Sequence, residues 1–280
     1  MPDPLNVALA AADQAESILR RHFVDLGHLR IENKTRDAQD QGLVTDADLE
    51  SEQAIVQSIR SAFPKHQILA EEEHTSAAGA QAEHLWIIDP LDGTNNFAHG
   101  LPHYAISIAY YRRGEPQIGL VVQPETGDRY WAKQGEGSWQ RSAGQPDRRL
   151  RVSAANRLDQ TLVGVGFYYD RGQMMRDTLA AIERLFGRNV HGIRRMGTAA
   201  LDLVQVARGQ FGGFFEYHLA PWDVAAGRLI VEEAGGRVTD CQGQPLPLAA
   251  GSLLASNRHL HDELLEQVQR SGPVKTTPAT

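Results

Sequence analysis

The sequence predicts a mixed α/β fold, on three observations. Apolar residues recur at helical spacing near the start, at Leu5, Leu9, Ile18, Leu19 and Phe23, and again at Ile55, Ile59 and Phe63. Between Tyr104 and Lys133, β-rich runs are divided by turn signals at Arg113-Gly114-Glu115-Pro116 and Pro124-Glu125-Thr126-Gly127, the spacing of an antiparallel meander. Turn and cap residues also open helical stretches, at Gly93-Thr94, Gly197-Thr198 and Pro221-Trp222.

The chain has 280 residues, enough for one sizeable core or two closely joined halves. The polar stretch 142–150 is the expected boundary, giving an N-terminal half, 1–150, and a C-terminal half, 151–270. The tail 271–280 is expected to be disordered. Net charge is −7, which gives a polyanion such as nucleic acid no bulk attraction. Cys241 is the only cysteine, so no intrachain disulfide is possible. The start has no basic and apolar leader pattern, and no run approaches a membrane span. A cytoplasmic protein is expected.

In order, residues 4–26 read as a helix ending in Arg20, Arg21 and His22, which suit a C-terminal end. Arg30 to Gly42 is polar and reads as a loop. Thr45 or Asp46 caps a helix reaching Phe63, in which Asp48 is a first-turn acid. Gln67 to Ala70 is a short strand running into Glu71-Glu72-Glu73. Leu162 to Gly166 reads as a strand, Met174 to Phe186 as a helix, and Pro221 to Ala234 as a second helix after the apolar strand Phe214-Phe215-Glu216-Tyr217.

The chain is organised around Trp86-Ile87-Ile88-Asp89-Pro90-Leu91-Asp92-Gly93-Thr94-Asn95-Asn96. A buried strand drives into two carboxylates, breaks at Gly93 and restarts at Thr94, which can cap a helical turn. Gly93 lets backbone approach a ligand, and the amides of a helix start attract anions. Two carboxylates beside an anion site need a cation between them. Mg²⁺ with a phosphate fits.

The stretch resembles the first signature of the inositol monophosphatase family, Asp-Pro-Leu/Ile-Asp-Gly-Thr-x-Asn-Phe. Further segments are similar to that family: Val44-Thr45-Asp46-Ala47-Asp48, the acids from Glu71, Gly197-Thr198-Ala199-Ala200, and Trp222-Asp223. The likeness spans residues 5–268. The chain departs from it at Gly42, where many members have Asp, and at Ala70, where Gly is usual.

The resemblance implies a layered α/β/α/β/α fold of two sheets with the site between them, and a homodimer. It implies two or three Mg²⁺ ions. Glu71, Asp89 and the Leu91 carbonyl would hold the first, Asp89, Asp92 and Asp223 the second, and Asp48 a weaker third. Asp48 and Thr94 would orient the attacking water, with Glu71 beside them. The amides of Gly93 and Thr94 would receive the phosphate, and Thr198, Ala199 and Glu216, with Asp92 and Asp223, would line the substrate pocket. An all-oxygen donor set favours Mg²⁺ over Zn²⁺, and two ions can support in-line water attack on a phosphate. The activity implied is hydrolysis of a small polyol or sugar phosphate, inositol monophosphate first. Histidinol phosphate, fructose 1,6-bisphosphate and a nucleotide 3′-phosphate are alternatives. A regulatory or scaffold protein binding a macromolecule is the alternative of another class.

Overall fold

In the computed structural model, which describes residues 2–33, 43–72 and 82–269, helix α1 (Pro4–Val24) opens with Pro in its first turn, where the missing amide costs nothing. It stops short of the expected residue 26, because Asp25 leaves helical backbone. The stretch read as a loop from Arg30 contains a strand, β1 (Ile31–Asn33), paired antiparallel with β2 (Leu43–Thr45). Its short polar sequence carried no strand signal; the pairing to residues ten or more positions away creates it. Gly42, Glu73 and the tail 271–280 lie outside the described residues.

Thr45 caps α2 (Asp46–Ala62): its hydroxyl accepts from the Ala47 amide, while Asp48 reaches back to the Thr45 amide. There follow β3 (Gln67–Ala70), β4 (His84–Asp92), the five-residue helix α3 (Thr94–Ala98), and the meander β5 (Ala105–Arg112), β6 (Glu115–Gln123), β7 (Asp128–Lys133), β8 (Gly137–Arg141) and β9 (Arg148–Arg149). These seven strands form one sheet in the order β3 to β9, with only β3 and β4 parallel. The polar stretch 142–150 is therefore loop only as far as Asp147.

The remaining elements are β10 (Leu162–Val165), α4 (Gln173–Gly187), β11 (Gly192–Arg194), α5 (Ala199–Ala207), β12 (Phe211–Leu219), α6 (Pro221–Glu233), β13 (Arg237–Thr239), β14 (Gly251–Ser256) and α7 (His261–Val268). The second sheet has the order β11-β10-β12-β14-β13. β10 is parallel to β11 and β12, while β14 runs antiparallel to β12 and β13.

The layers are α/β/α/β/α, as expected. On the outer face of the large sheet, α1 and α2 pack on Trp86, Ile88, Ile106, Ile108 and Leu120. The opposite face of the same strands, through Leu85, Ile87, Ala109 and Val121, meets α5 and α6. These two helices also cover Phe214, Leu253 and Ala255 of the second sheet. Outside that sheet, α4 and α7 pack on Val163, Val165, Phe215 and Leu254. β4 is thus buried on both faces, which is why it reads as a continuous apolar run rather than an alternating one. Each fully buried side chain of this kind, such as Ile87, contributes about 1.5–3 kcal/mol.

Small residues set the spacing of the middle layer. A Cβ on Gly119 of β6 would fall 2.4 Å from the Ala226 carbonyl oxygen of α6, and one on Gly227 would fall 2.5 Å from Leu203 of α5. Among the described residues, no helix is long and apolar enough to cross a membrane.

Candidate active site

A cavity of about 300 Å³ lies where β4, β10 and β12 end and α3, α5 and α6 begin. Glu71, Asp89, Leu91, Asp92, Gly93, Thr94, Thr198, Ala199, Glu216 and Asp223 all line it. Of the residues singled out in the sequence, only Asp48 does not. It is fully buried behind Thr94, whose hydroxyl lies 2.9 Å from Asp48 Oδ1 and 3.0 Å from the Leu91 carbonyl. One hydroxyl proton serves only one of these acceptors at a time.

Asp89 and Asp92 are three residues apart, so a regular strand would point them to opposite faces. The β4–β5 register shifts between them, and this irregularity at Pro90 turns both to the cavity. Asp89 Oδ1 accepts from the Leu91 amide at 3.0 Å. Asp92 Oδ2 accepts from the Ala200 amide at 2.7 Å in the first turn of α5. Asp223 Oδ2 accepts from the Ala220 amide at 2.6 Å at the start of α6. Each of these acids is held by a backbone amide, and Asp92 is held by Ala199 and the Thr198 side chain as well.

Thr94 is not the cap of α3. Gly93 takes that place with φ +96°, a conformation that disfavours any side chain. A Cβ there would also meet Thr198 at 3.0 Å. Thr94 becomes the first helical residue, and its hydroxyl turns back to Asp48 instead. Thr198 does cap its helix, accepting from the Leu201 amide at 3.0 Å. Ala70, where Gly is usual, is buried and accommodated in the α1/α2 core.

The electrostatics are those of crowded acids. Burial, then Glu71, Asp92 and Asp223, push Asp89 well above the usual carboxylate range. Burial raises Asp92 to about 7, against the lowering effect of the Ala200 amide. Asp48 is also raised to about 7 by burial, although Thr45 donates to it twice. Glu216 is raised by burial and by Asp223.

This donor set suits a hard cation. It is carboxylate and carbonyl oxygen throughout, and charged acids this close favour a positive ion among them. The acids gather round the cavity without closing on a point: among the described residues, no three His, Cys, Asp or Glu side chains form a ready metal-holding group.

Several lining residues were missed in the sequence: Arg195, Asp202, Phe167, Tyr168, Tyr169 and His218. Asp202 reads as a plain first-turn acid of α5, yet it is buried and its Oδ1 has no hydrogen-bond partner. His218 carried a usable signal, since it stands two residues after Glu216 on the same strand face.

Residues 3–272 match the model of the inositol monophosphatase family. A relative named putative Nus factor SuhB, from Neisseria meningitidis, is 41% identical over 262 residues, covering 94% of this chain and 96% of its own. A relative named inositol-1-monophosphatase, from Rhizobium meliloti, is 40% identical over 272 residues, covering 97% and 98%. The crystal structure of the extragenic suppressor protein suhB from Bartonella henselae superposes with a TM-score of 0.86 at 36% identity, covering 95% of this chain and 98% of that one.

Proposed function

Because the chain belongs to the inositol monophosphatase family, we propose that it is a Mg²⁺-dependent phosphomonoesterase whose substrate is a small polyol phosphate, inositol monophosphate first. The observation that carries this is the gathering of Glu71, Asp89, Asp92 and Asp223 around the Gly93–Thr94 turn in one cavity. Glu71, Asp89 and the Leu91 carbonyl would hold one ion, Asp89, Asp92 and Asp223 a second, and Asp48 a weaker third. Bound there, the ions would offset the acids' repulsion, polarise the phosphate and make water a better nucleophile.

The chain's own groups do the rest. The amides of Gly93 and Thr94 receive phosphate oxygens at the turn. The Thr94 hydroxyl, fixed by Asp48 or the Leu91 carbonyl, orients the water, and Asp48 behind it is placed to accept a proton. Water oxygen bonds to phosphorus as the ester P–O bond breaks, and the departing alkoxide takes up a proton. Thr198, Ala199 and Glu216 hold the polyol, with Glu216 accepting from a hydroxyl. The test is phosphate release across a panel of inositol, sugar, histidinol and nucleotide phosphates, with Mg²⁺ and after exhaustive chelation. Loss in chelator with recovery in Mg²⁺ is expected. Undiminished turnover without metal would remove the metal from this reading.

Relatives named Nus factor motivate a second role as a scaffold on a macromolecule, compatible with an intact site. A homodimer is part of the proposal. Leu179 and Phe186 lie seven residues apart on one face of α4, both about half exposed at 51% and 54%. A second copy would cover this apolar stripe. Light scattering on the wild type and on Phe186→Glu checks it, and a monomer in both would sink it.

A further inference from the structure

Away from the cavity, a column of rings closes the outer face of the large sheet where β3 and β4 begin. His66 directly precedes β3 and His84 opens β4, one step before the Gln67–Leu85 pair in their parallel register. Parallel register puts opposite residues on one face, so the two imidazoles stack, 4.3 Å between centroids at 11°. Phe63, where α2 ends, stacks on His66 as well, at 4.5 Å and 10°, so both faces of that imidazole are covered. Tyr110 of β5 lies parallel to His66 within 7° and to His84 within 12°.

The hydrogen bonds fix the protons. An indole nitrogen is a donor only, and Trp86 Nε1 donates to His66 Nδ1 at 3.1 Å. His66 Nδ1 is therefore bare, and the single ring proton sits on Nε2. A second proton would enter at Nδ1, donor against donor. Trp86 is fully buried, so its N–H would then stand unpaired. His84 is placed differently. Its Nδ1 lies 2.7 Å from the Tyr110 hydroxyl, which can donate or accept, so this ring can take a proton and keep its bond. Once charged, it repels a charge on His66. Burial, then His84, hold His66 below the usual imidazole range. The other charged groups of the neighbouring elements are Lys65 beside His66, Arg60 in the last turn of α2, Arg112 opposite His84 on β5, and Glu83. Glu83 is taken by Arg113 at 2.9 Å, so no unpaired acid among them would hold an imidazolium.

We propose that His66 and His84 form an acid-sensitive latch between β3 and β4: a proton on His66 releases Trp86 and loosens the strand leading into Glu71 from the strand carrying Asp89 and Asp92. The latch lies outside the cavity and stands apart from the phosphatase reading. Below about pH 6.5 the unfolded chain takes this proton more readily than the folded one, so stability falls as pH falls. The cavity acids act in the opposite direction, and comparison with His66→Gln separates the two.

The experiment follows the Trp86 indole N–H by ¹H–¹⁵N spectroscopy on the full chain with Mg²⁺ present, between about pH 8 and about pH 5, and Trp86→Phe assigns the resonance. In the wild type this resonance should titrate with a midpoint below the ordinary imidazole value. Protection from exchange of the β3 amides bonded to β4 should be about tenfold or more lower at the acid end. His66→Gln, whose amide oxygen accepts from Trp86 at any pH, should hold both flat. His84→Phe keeps a flat ring on His66 without its charge, so the midpoint should rise. A Trp86 resonance that is flat in the wild type, or that titrates alike in His66→Gln, would overturn the latch. So would a midpoint unmoved in His84→Phe, or a Trp86 titration that leaves the β3 amides as well protected as before.

Discussion

The Ala200 amide donates to Asp92 Oδ2 at 2.7 Å, so the acid ending β4 is fixed by a helix that begins more than a hundred residues later. The Thr198 hydroxyl and the Ala199 amide, at the same helix start, hold that carboxylate as well. The two sheets therefore meet at the acids themselves, and each acid has a distinct role to test.

Asp89 stands on the cavity wall and would be shared by two ions, whereas Asp48 reaches the cavity only through Thr94. Asp89→Asn should therefore cost more kcat/KM than Asp48→Asn. Loss of a supporting partner typically costs about 10–100-fold, which is the expectation for Asp48→Asn, with Asp89→Asn beyond it. Steady-state kinetics at saturating Mg²⁺ decide the order. A near wild-type kcat for Asp89→Asn would take it out of the site.

Metal-free stability should depend on pH with an unusual sign. Asp48 and Asp92 titrate at about 7 in the folded chain, against about 3.9 for a free Asp. Between about pH 4 and 7 the folded state holds more protons than the unfolded, so stability falls as pH rises through that window. Calorimetry on chelated protein should show Tm dropping from pH 5 to 7.5, with Mg²⁺ restoring more at 7.5 than at 5. A Tm that is flat across this range, or an equal Mg²⁺ effect at both pH values, would contradict the raising of these acids by burial.

Glu216→Gln probes the leaving group. A hydrogen bond to a charged group is worth about 1.5–3 kcal/mol, or about ten- to a hundredfold in kcat/KM. That loss is expected on a polyol phosphate and not on an aryl phosphate that lacks the hydroxyl. Equal losses on both would mean that Glu216 supports the acid cluster instead, and a loss on neither would remove it from binding.

Gly119→Ala tests the middle layer. Its new Cβ would sit 2.4 Å from the Ala226 carbonyl oxygen, a backbone atom that cannot rotate away. Overpacking of this kind costs about 1–3 kcal/mol. Urea unfolding should show a lower midpoint, and an unchanged midpoint would mean that α6 shifts freely.

Much of the fold could be read in the sequence, because local periodicity governs it. The helices near 46–62 and 221–233, the doubly buried β4 and the meander from Ala105 all follow from spacing and turn residues. What could not be read depends on distant partners. β1 exists because Leu43–Thr45 lies beside it. β13, β14 and α7 are too short to declare a period of their own. Thr94 resembles a cap in sequence, yet the left-handed backbone at Gly93 takes that role. Tyr168 and His218 sit fifty positions apart, and only the pairing of β10 with β12 reveals them as neighbours.

The close fit of α6 under β6 also decides how the enzyme can breathe. Asp223 rides on the first turn of a helix whose body is wedged between both sheets, touching one through a glycine and the other through apolar side chains. A swing of one sheet away from the other would pull the central helix from one of its walls, at the cost of the apolar contacts it makes there. Asp223 is thereby anchored to both sheets at once, and its place opposite Asp92 is set by the packing of the middle layer.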